Sequence, residues 1–474
     1  MPSVLRILPA AVLASLLAAC ATVGPDYQAP RLATPTEWQA ALPHGGRSAD
    51  LLHWWQSFND PVLDKLLARA EADSPSLDQA WASIVAARAN LSSAQASQLP
   101  SLTGSGGVSR TGNLRQGQGG TATTSTAALD ASWEVDLFGG IKRSTEAARA
   151  RASASVSDWH EARVSLAAEV ANEYVSYRAC QLLLASYQAD AQSRQVTAQL
   201  TNRSVAAGFS AQSDADLAEA GTATATSNVL AQAAECELDI KSLVALTGMA
   251  EHELRATLAQ GPLQLPKPAT LAVQSLPAQL LAQRPDLATK ERNLAAASAD
   301  IGVAEANRYP RFSLLGSISS SEVRGGSGSS PWSFGPSLSL PLFDGGSRRA
   351  AVDKARASYE QALASYRQGV LDAVKEVEQA LVRLDAATRS EASRRASAEG
   401  YQRYLAATRA MWQAGSASLL TLEQAQRDAR GAEQTYITSQ RDRILDGIAL
   451  YKALGGGWEA QQNDNVNGKR ESSK

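Results

Sequence analysis

The chain states one plan twice, at an offset of about 205 to 210 residues. Pro75 returns as Pro285, Pro100 as Pro310, Leu137-Phe138 as Leu342-Phe343, Gly139-Gly140 as Gly345-Gly346, Gly208 as Gly415, and Leu246-Thr247-Gly248 as Leu454-Gly455-Gly456. Because the breakers recur in order, each copy reads as a short helix, two alternating strands and two very long helices. Four strands are expected in total. Four strands cannot close a barrel, and strands in lipid cannot leave their edges unpaired, so a membrane sheet of this kind has to be completed by further chains.

Charge and hydropathy narrow the classes. The balance of 45 basic and 47 acidic residues gives a net charge of −2, which argues against a general nucleic-acid binder. Apolar residues make up 44% of the chain, yet no run reaches the roughly 18 to 20 that a spanning helix needs. Any spanning falls to strands. At the amino terminus Arg6 precedes an apolar stretch, Ile7 to Ala19, that ends in Leu17-Ala18-Ala19-Cys20. A basic start, a short apolar region and small residues before a cleavage point mark a secretory signal over residues 1–19. Leu-Ala-Ala-Cys resembles the bacterial lipobox, which would make Cys20 the lipidated first residue, and Ala21 after it points by the same resemblance to the outer membrane.

Residues 141 to 207 contain neither Gly nor Pro. An unbroken helix of that length would extend roughly 100 Å. Val156, Trp159, Leu166, Val170, Tyr177, Cys180, Leu184 and Tyr187 keep a three-four spacing, with Arg163 and Glu173 as polar exceptions. The second copy repeats this from about Gly346 to Gln413, on Val352, Tyr359, Leu363, Tyr366, Val370, Ala373, Val377, Ala380 and Leu384. Each long helix meets a glycine-centred turn, at Gly208 or Gly415, and a return helix follows. Two antiparallel coiled-coil hairpins result.

The strands show dyad alternation. Leu129, Ala131, Trp133, Val135 and Leu137 alternate with Asp130, Ser132, Glu134 and Asp136; Phe334, Leu338, Leu340 and Leu342 alternate with Ser333, Gly335, Ser337 and Ser339. Arg311 to Ser319 puts Phe312, Leu314 and Ile318 on one face, and Leu102 to Ser109 is a weaker, Gly- and Ser-rich strand. Ser109 to Thr123 and Ser319 to Ser330 are expected as hairpin loops. Such strands fit a transmembrane barrel, although a soluble sheet packed on helices follows the same pattern. Trp133, Phe138, Trp332 and Phe343 near the strand ends fit an aromatic girdle or scattered core aromatics equally.

Chemistry finds little footing. His44, His53, His160 and His252 form no spaced metal pair or triad, and Gly104-Ser105-Gly106-Gly107 lacks the strand-to-helix setting of a phosphate loop. Asp130, Glu134 and Asp136 read as a solvated wall rather than an acid-base pair. No enzyme activity and no cofactor are expected. Cys180 and Cys236 read first as small helix-packing residues, with a disulfide left open in an oxidising compartment.

Several motifs now coincide: Cys20 with Gly24-Pro25-Asp26-Tyr27 and Pro30, then Trp54-Trp55-Gln56-Ser57-Phe58-Asn59-Asp60-Pro61, Trp133-Glu134-Val135-Asp136-Leu137-Phe138-Gly139, and Arg284-Pro285-Asp286-Leu287. Together, and over nearly the whole mature chain, they resemble the lipoprotein (NodT-type) branch of TolC-like outer-membrane factors. The resemblance implies a mainly α homotrimer with a membrane β-barrel: twelve shared strands, an α-helical barrel crossing the periplasm, and as partners a periplasmic adaptor and an inner-membrane transporter. It also implies a gate near the hairpin tips. Leu420 matches an apolar constriction position, Asp214 a common first-hairpin aspartate, and Gln424 stands where the relatives carry an aspartate, beside Glu423. The tip turns at Gly208 and Gly415 become candidate adaptor contacts.

The expected organisation is a signal peptide at 1–19, a lipidated segment at 20–60, a first repeat at 61–248, an equatorial linker at 249–283, a second repeat at 284–456 and a disordered tail at 457–474. The function that follows is an outer-membrane, lipid-anchored exit duct of a tripartite efflux system, conducting drugs or other small toxic compounds passively. The rivals are the exit channel of a protein secretion system and, in a different class, a periplasmic coiled-coil adaptor or scaffold.

Overall fold

The computed structural model describes residues 22–30, 38–40, 54–112, 121–268 and 283–456. The expected signal peptide, Cys20, the tail at 457–474 and parts of the 249–283 linker and the first strand loop lie outside the described residues. After a 3-10 turn (Trp54–Phe58) come α1 (Pro61–Asp73), α2 (Pro75–Ala96), β1 (Ser101–Gly112), β2 (Thr121–Val135), α3 (Gly140–Ala206), α4 (Gln212–Thr247) and α5 (Glu251–Leu258). The second half runs α6 (Pro285–Ala306), β3 (Arg311–Val323), β4 (Gly328–Ser329), β5 (Trp332–Ser339), α7 (Ser347–Gln413) and α8 (Leu419–Ala453). The repeat is one of structure as well as of spelling: α2 and α6 have 22 residues each, α3 and α7 have 67 each, and α4 and α8 have 36 and 35.

The motifs explain themselves as helix boundaries. In Trp54 to Pro61, Trp54 stacks on Tyr451 with centroids 4.9 Å apart, Asn59 takes φ 49°, and Pro61 opens α1. Asp60 Oδ1 accepts from the backbone nitrogens of Val62 and Leu63 at 3.0 and 3.3 Å, an N-cap. Asp136 and Asp344 do the same for the long helices. Lys142 N donates to Asp136 Oδ2 at 2.8 Å, and Gly346 N and Arg348 N donate to Asp344 at 2.9 and 3.1 Å. Those backbone donors hold the Asp344 carboxyl below its usual range.

Two compact units divide the chain, each drawing on both repeats: residues 1–32, 82–157 and 288–369, and residues 33–81, 158–287 and 370–474. The first holds the sheet and a small alanine cluster, Ala147, Ala296 and Ala299, where short side chains let α3 and α6 approach closely. The second holds the main core, with Leu63, Leu66, Tyr174, Val175, Leu243, Leu254, Val377, Ile448 and Tyr451. Of the expected heptad positions, Leu166, Val170, Tyr177, Cys180, Val352, Val370, Ala373, Val377, Ala380 and Leu384 are buried, whereas Val156, Trp159, Leu184, Tyr187, Tyr359, Leu363 and Tyr366 are only half-buried. α3 is nevertheless covered on more than one stripe, since Tyr174 and Arg178 are also buried.

Arg178 organises that core. Its Nε donates to Tyr174 Oη at 3.0 Å, its Nη1 to Gln181 at 2.9 Å and its Nη2 to the Leu258 carbonyl at 2.9 Å, while Tyr174 Oη donates to Asp60 Oδ2 at 2.6 Å. Burial first, then the bond to Asp60, pushes the Tyr174 hydroxyl pKa up and keeps it a donor. One connected network thus ties the cap of α1, the middle of α3 and the last carbonyl of α5. Arg284 plays a similar part: it grips Asp286 with two bonds of 3.0 and 2.9 Å, Glu376 at 2.8 Å and the Ala453 carbonyl at 2.9 Å.

Two expectations are corrected. Cys180 and Cys236 are not merely small packing residues: their sulfurs are bonded, with Cα atoms 5.5 Å apart, because antiparallel α3 and α4 bring the two positions level. The strands also differ in extent from their side-chain alternation: β2 ends at Val135 and β5 at Ser339, short of Leu137 and of Leu340 and Leu342, while at the opposite end the ladder runs further than expected. β1 and β2 pair out to Gly112↔Thr121, and β3 continues to Val323 with β4 beside it, within both segments expected as loops. Backbone hydrogen bonds sustain the ladder where neither face is apolar.

Tyr174→Phe should lower unfolding stability by about 1–3 kcal/mol, since a buried carboxylate and guanidinium lose their shared partner. Denaturant midpoints of the helical circular dichroism signal measure this. Cys236→Ser should cost about 2–4 kcal/mol by the same assay, and the parent should show no maleimide-reactive thiol at Cys180 or Cys236 until it is reduced.

Candidate functional site: the sheet wall, its rim and the hairpin tips

Side-chain parity sets the two faces of the sheet. The strand order is β1-β2-β3, with β5 and the short β4 both on the far side of β3. Opposed residues share a face, so Leu102, Gly104 and Gly106 of β1 stand beside Ala131, Leu129 and Ala127 of β2. The same row continues through Phe312, Leu314, Gly316 and Ile318 of β3, beyond which Ser320 and Glu322 turn that face polar, and ends in Trp332, Phe334, Pro336 and Leu338 of β5. Up to Ile318 that face is apolar across all four long strands. The other face carries Thr103, Ser105, Asp130, Ser132, Glu134, Ser313, Ser317, Ser333 and Ser337, with Leu315 as an apolar exception. Ser317 and Ser333 hydroxyls lie 3.1 Å apart on it.

Among the described residues both faces are open: Leu102 is 72% exposed and Phe334 74% on the apolar face, and Thr103, Ser105, Ser333 and Ser337 are exposed on the polar one. Apolar rows run from Val135 to Ala127, eight residue steps or about 27 Å along the strand. At a tilt of about 35–45° that is a band about 20 Å tall, comparable to the apolar belt of about 25 Å on membrane barrels.

The rim where strands pass into helices receives the amino-terminal segment. Val23 N donates to the Phe138 carbonyl at 3.1 Å, and Phe138 stacks on Tyr309 with centroids 4.6 Å apart. Buried Arg143 of α3 donates to the carbonyls of Val23 and Gly24 at 3.1 and 3.2 Å and forms ion pairs with Asp26 and Glu146 at 2.8 and 2.9 Å. Burial pulls its pKa down, but the bonds to Asp26 and Glu146 outweigh that and hold it up. Gly24 lies against Gly302, where a Cβ would come within 2.4 Å of backbone. Tyr27 Oη donates to Glu291 at 2.7 Å. Trp133 at this rim donates from Nε1 to the Gln98 carbonyl at 2.9 Å; Trp332 sits at the other end of β5.

At the tips both glycines take left-handed φ, 78° at Gly208 and 74° at Gly415, which lets each chain reverse tightly. Asp214 lies in the first turn of α4 and accepts from Ala211 N at 3.3 Å, a capping contact. In the second hairpin Glu423 pairs with Arg427 at 3.2 Å, Arg427 also donates to Gln424, and Gln424 donates to Asp428 at 2.8 Å. Leu420 is 62% exposed, beside a small cluster of Leu405, Leu422, Ala425 and Ala429 that holds α8 to α7. Phe209, 85% exposed beside Gly208, is a tip residue that pattern reading passed over; an aromatic next to a turn glycine with no counterpart at Ser416 was the available signal.

Among the described residues no group of three or more His, Cys, Asp or Glu is placed to hold a metal, and no helix is long and apolar enough to cross a membrane. The profile of a family described as outer membrane efflux protein matches residues 66–249 and 276–456. Nodulation protein T of Rhizobium leguminosarum bv. trifolii is 33% identical over 451 residues, covering 94% of this chain and 96% of that protein. Outer membrane protein OprJ of Pseudomonas aeruginosa is 32% identical over 464 residues, covering 95% of each. Among solved structures, the outer-membrane channel OprN superimposes with a TM-score of 0.80 at 31% identity, over 92% of this chain and 99% of that one. The open-state MtrE outer membrane channel of Neisseria gonorrhoeae does so at 0.78 and 26%, over 92% and 98%. With the profile matched in both halves and relatives aligned almost end to end, the chain belongs to the outer membrane efflux protein family.

Proposed function

We propose that three copies of this chain form a lipid-anchored exit duct in the outer membrane, through which small toxic compounds leave passively after an inner-membrane transporter and a periplasmic adaptor have delivered them. The observation that carries this reading is the sheet: four long strands with one apolar face, one polar face and two open edges. In lipid each unpaired backbone group costs several kcal/mol, so the edges have to meet those of other copies, and three copies give a twelve-stranded barrel. The polar face then lines water. Such a duct does no chemistry and selects little by itself. Relatives named for toluene efflux and pyoverdine export are consistent with small-molecule cargo.

The rim supports an acylated Cys20. Val23 is bonded beside the end of β2, and three residues of chain reach roughly 10 Å, so acyl chains on Cys20 would enter the same membrane as the sheet. The tips support a closed resting state. Three copies of Leu420 near an axis would resist wetting, and carboxylates there would favour cations. Glu423 is partly neutralised by Arg427, which leaves Asp214 the stronger contributor.

Detergent-extracted protein should have a native mass near three chains; a stable monomer that keeps its strand signal would contradict the duct. Cys20→Ser should abolish labelling by a clickable fatty acid while strand content is retained. In planar bilayers, Leu420→Ala combined with Gln424→Ala should raise single-channel conductance. Asp214→Ala should reduce cation preference more than Glu423→Ala does, as read from reversal potentials in a salt gradient.

A further inference from the structure

The open edges of the sheet carry a mismatch that points to how one copy meets the next. In an antiparallel ladder, directly opposed residues exchange hydrogen bonds at every second pair. Ser319 N donates to the Pro331 carbonyl at 3.0 Å and Arg324 N to the Thr123 carbonyl at 2.9 Å. Following the registers from these two bonds, β5 turns the backbone groups of Ser333, Gly335, Ser337 and Ser339 toward β3. Those of Trp332, Phe334, Pro336 and Leu338 face the open edge. The same counting on β1 leaves Leu102, Gly104, Gly106, Val108 and Arg110 facing its open edge. Both open-edge sets carry their side chains on the apolar face, so an antiparallel join of β5 to the β1 of another copy keeps one continuous apolar band.

Pro336 breaks that join. It has no N–H to donate, and its ring carbon occupies the position where an opposing carbonyl would stand about 2.9 Å from the nitrogen. A regular ladder cannot pass this residue. The facing strand has to bulge, which a glycine does most readily.

Barrel geometry says what faces it. Residues Ser101, Ser132, Leu315 and Gly335 lie directly opposite one another across the four long strands. Four strand spacings of about 4.8 Å, at a tilt of about 35–45°, displace the register by about four to six residues. Gly335 therefore meets the next copy near residues 105 to 107, and the hydrogen-bonding parity admits only Ser105 or Gly107. Displacement the other way falls before Ser101, where β1 has not begun. Pro336 is then opposite Gly104 or Gly106. Neither glycine is required by its own chain: a Cβ on Gly104 would meet Leu129 at 3.7 Å and one on Gly106 the Thr126 carbonyl at 3.8 Å, both ordinary contacts, and neither has a positive φ.

We propose that the seam between copies is a proline–glycine step, in which Pro336 of β5 lies against Gly104 or Gly106 in β1 of a second copy, fixing the register by which the barrel closes. The proposal rests on the trimeric reading above, and cysteine pairs test it in the full-length protein. Ser337 and its seam partner lie on the polar face in a non-hydrogen-bonded pair, close enough for a disulfide. Ser337→Cys combined with Thr103→Cys should cross-link under mild oxidation if Gly104 is the partner, and combined with Ser105→Cys if Gly106 is. β1 and β5 of one chain are separated by two strands, about 14 Å, so a covalent oligomer on a non-reducing denaturing gel reports contacts between copies. Efficient linking through Ser101→Cys, Gly107→Cys or Ser109→Cys instead would overturn the register, as would trimers that link through neither Thr103→Cys nor Ser105→Cys. A native mass other than three chains would show that the trimeric reading itself had failed. As a second readout, valine at the glycine identified by cross-linking should lower the temperature at which the trimer dissociates in SDS, and valine at the other glycine should leave it within a few degrees. Equal effects at both would count against the step.

Discussion

Hydrogen bonding of the backbone in a medium without water is the constraint on which the rest of this molecule depends. A helix satisfies its own N–H and C=O groups, but a sheet satisfies only those between its strands. The four long strands leave β1 and β5 with open edges, and the residues whose backbone groups face those edges carry their side chains on the face that holds Leu102, Phe334 and Leu338. Everything at the rim serves to hand this sheet to helices without orphaned groups: Asp136 and Asp344 cap the long helices, Trp133 reaches the Gln98 carbonyl, and Arg143 collects two carbonyls of the amino-terminal segment.

Away from the sheet the problem changes from satisfying edges to fixing very long helices. Alanine-rich helices approach closely but specify little, since small side chains fit many registers. Specificity comes from a few buried polar networks. Arg178 and Tyr174 tie three segments through bonds of defined direction, and Arg284 ties the start of α6 to α7 and to the end of α8. Such networks are costly when incomplete, which makes them effective at selecting one arrangement. The motif stretches Trp54 to Pro61 and Arg284 to Leu287 are the sequence traces of these two devices.

The helices were legible because their ends are chemical. Glycine pairs and capping aspartates mark the starts of α3 and α7, and the tip glycines mark their ends, so the expected bounds fall within a residue of those observed. The outer ends of the strands were not legible: residues 121–126 and 319–321 are Ser, Thr and Ala, which alternate nothing even though they are paired. The amino-terminal docking was hidden for a related reason, since an extended segment held by carbonyls has no periodicity. The disulfide was there to be read. Cys180 and Cys236 each stand 28 positions from Gly208, which in an antiparallel hairpin makes them neighbours. At the hairpin tips, residue types did not foretell the bonds: Asp214 serves as a cap, and Gln424 shares Arg427 with Glu423.

The thin hydrophobicity of the strands has a consequence for biogenesis. No run of apolar residues in the strands is longer than Ala127-Ala128-Leu129, so no stretch of strand presents the continuous greasy surface by which a secretion machine recognises a segment to be left in the inner membrane. The alternation disguises the chain in transit. Its membrane character comes into being only when pleating sorts the residues onto opposite faces, after the inner membrane has been passed.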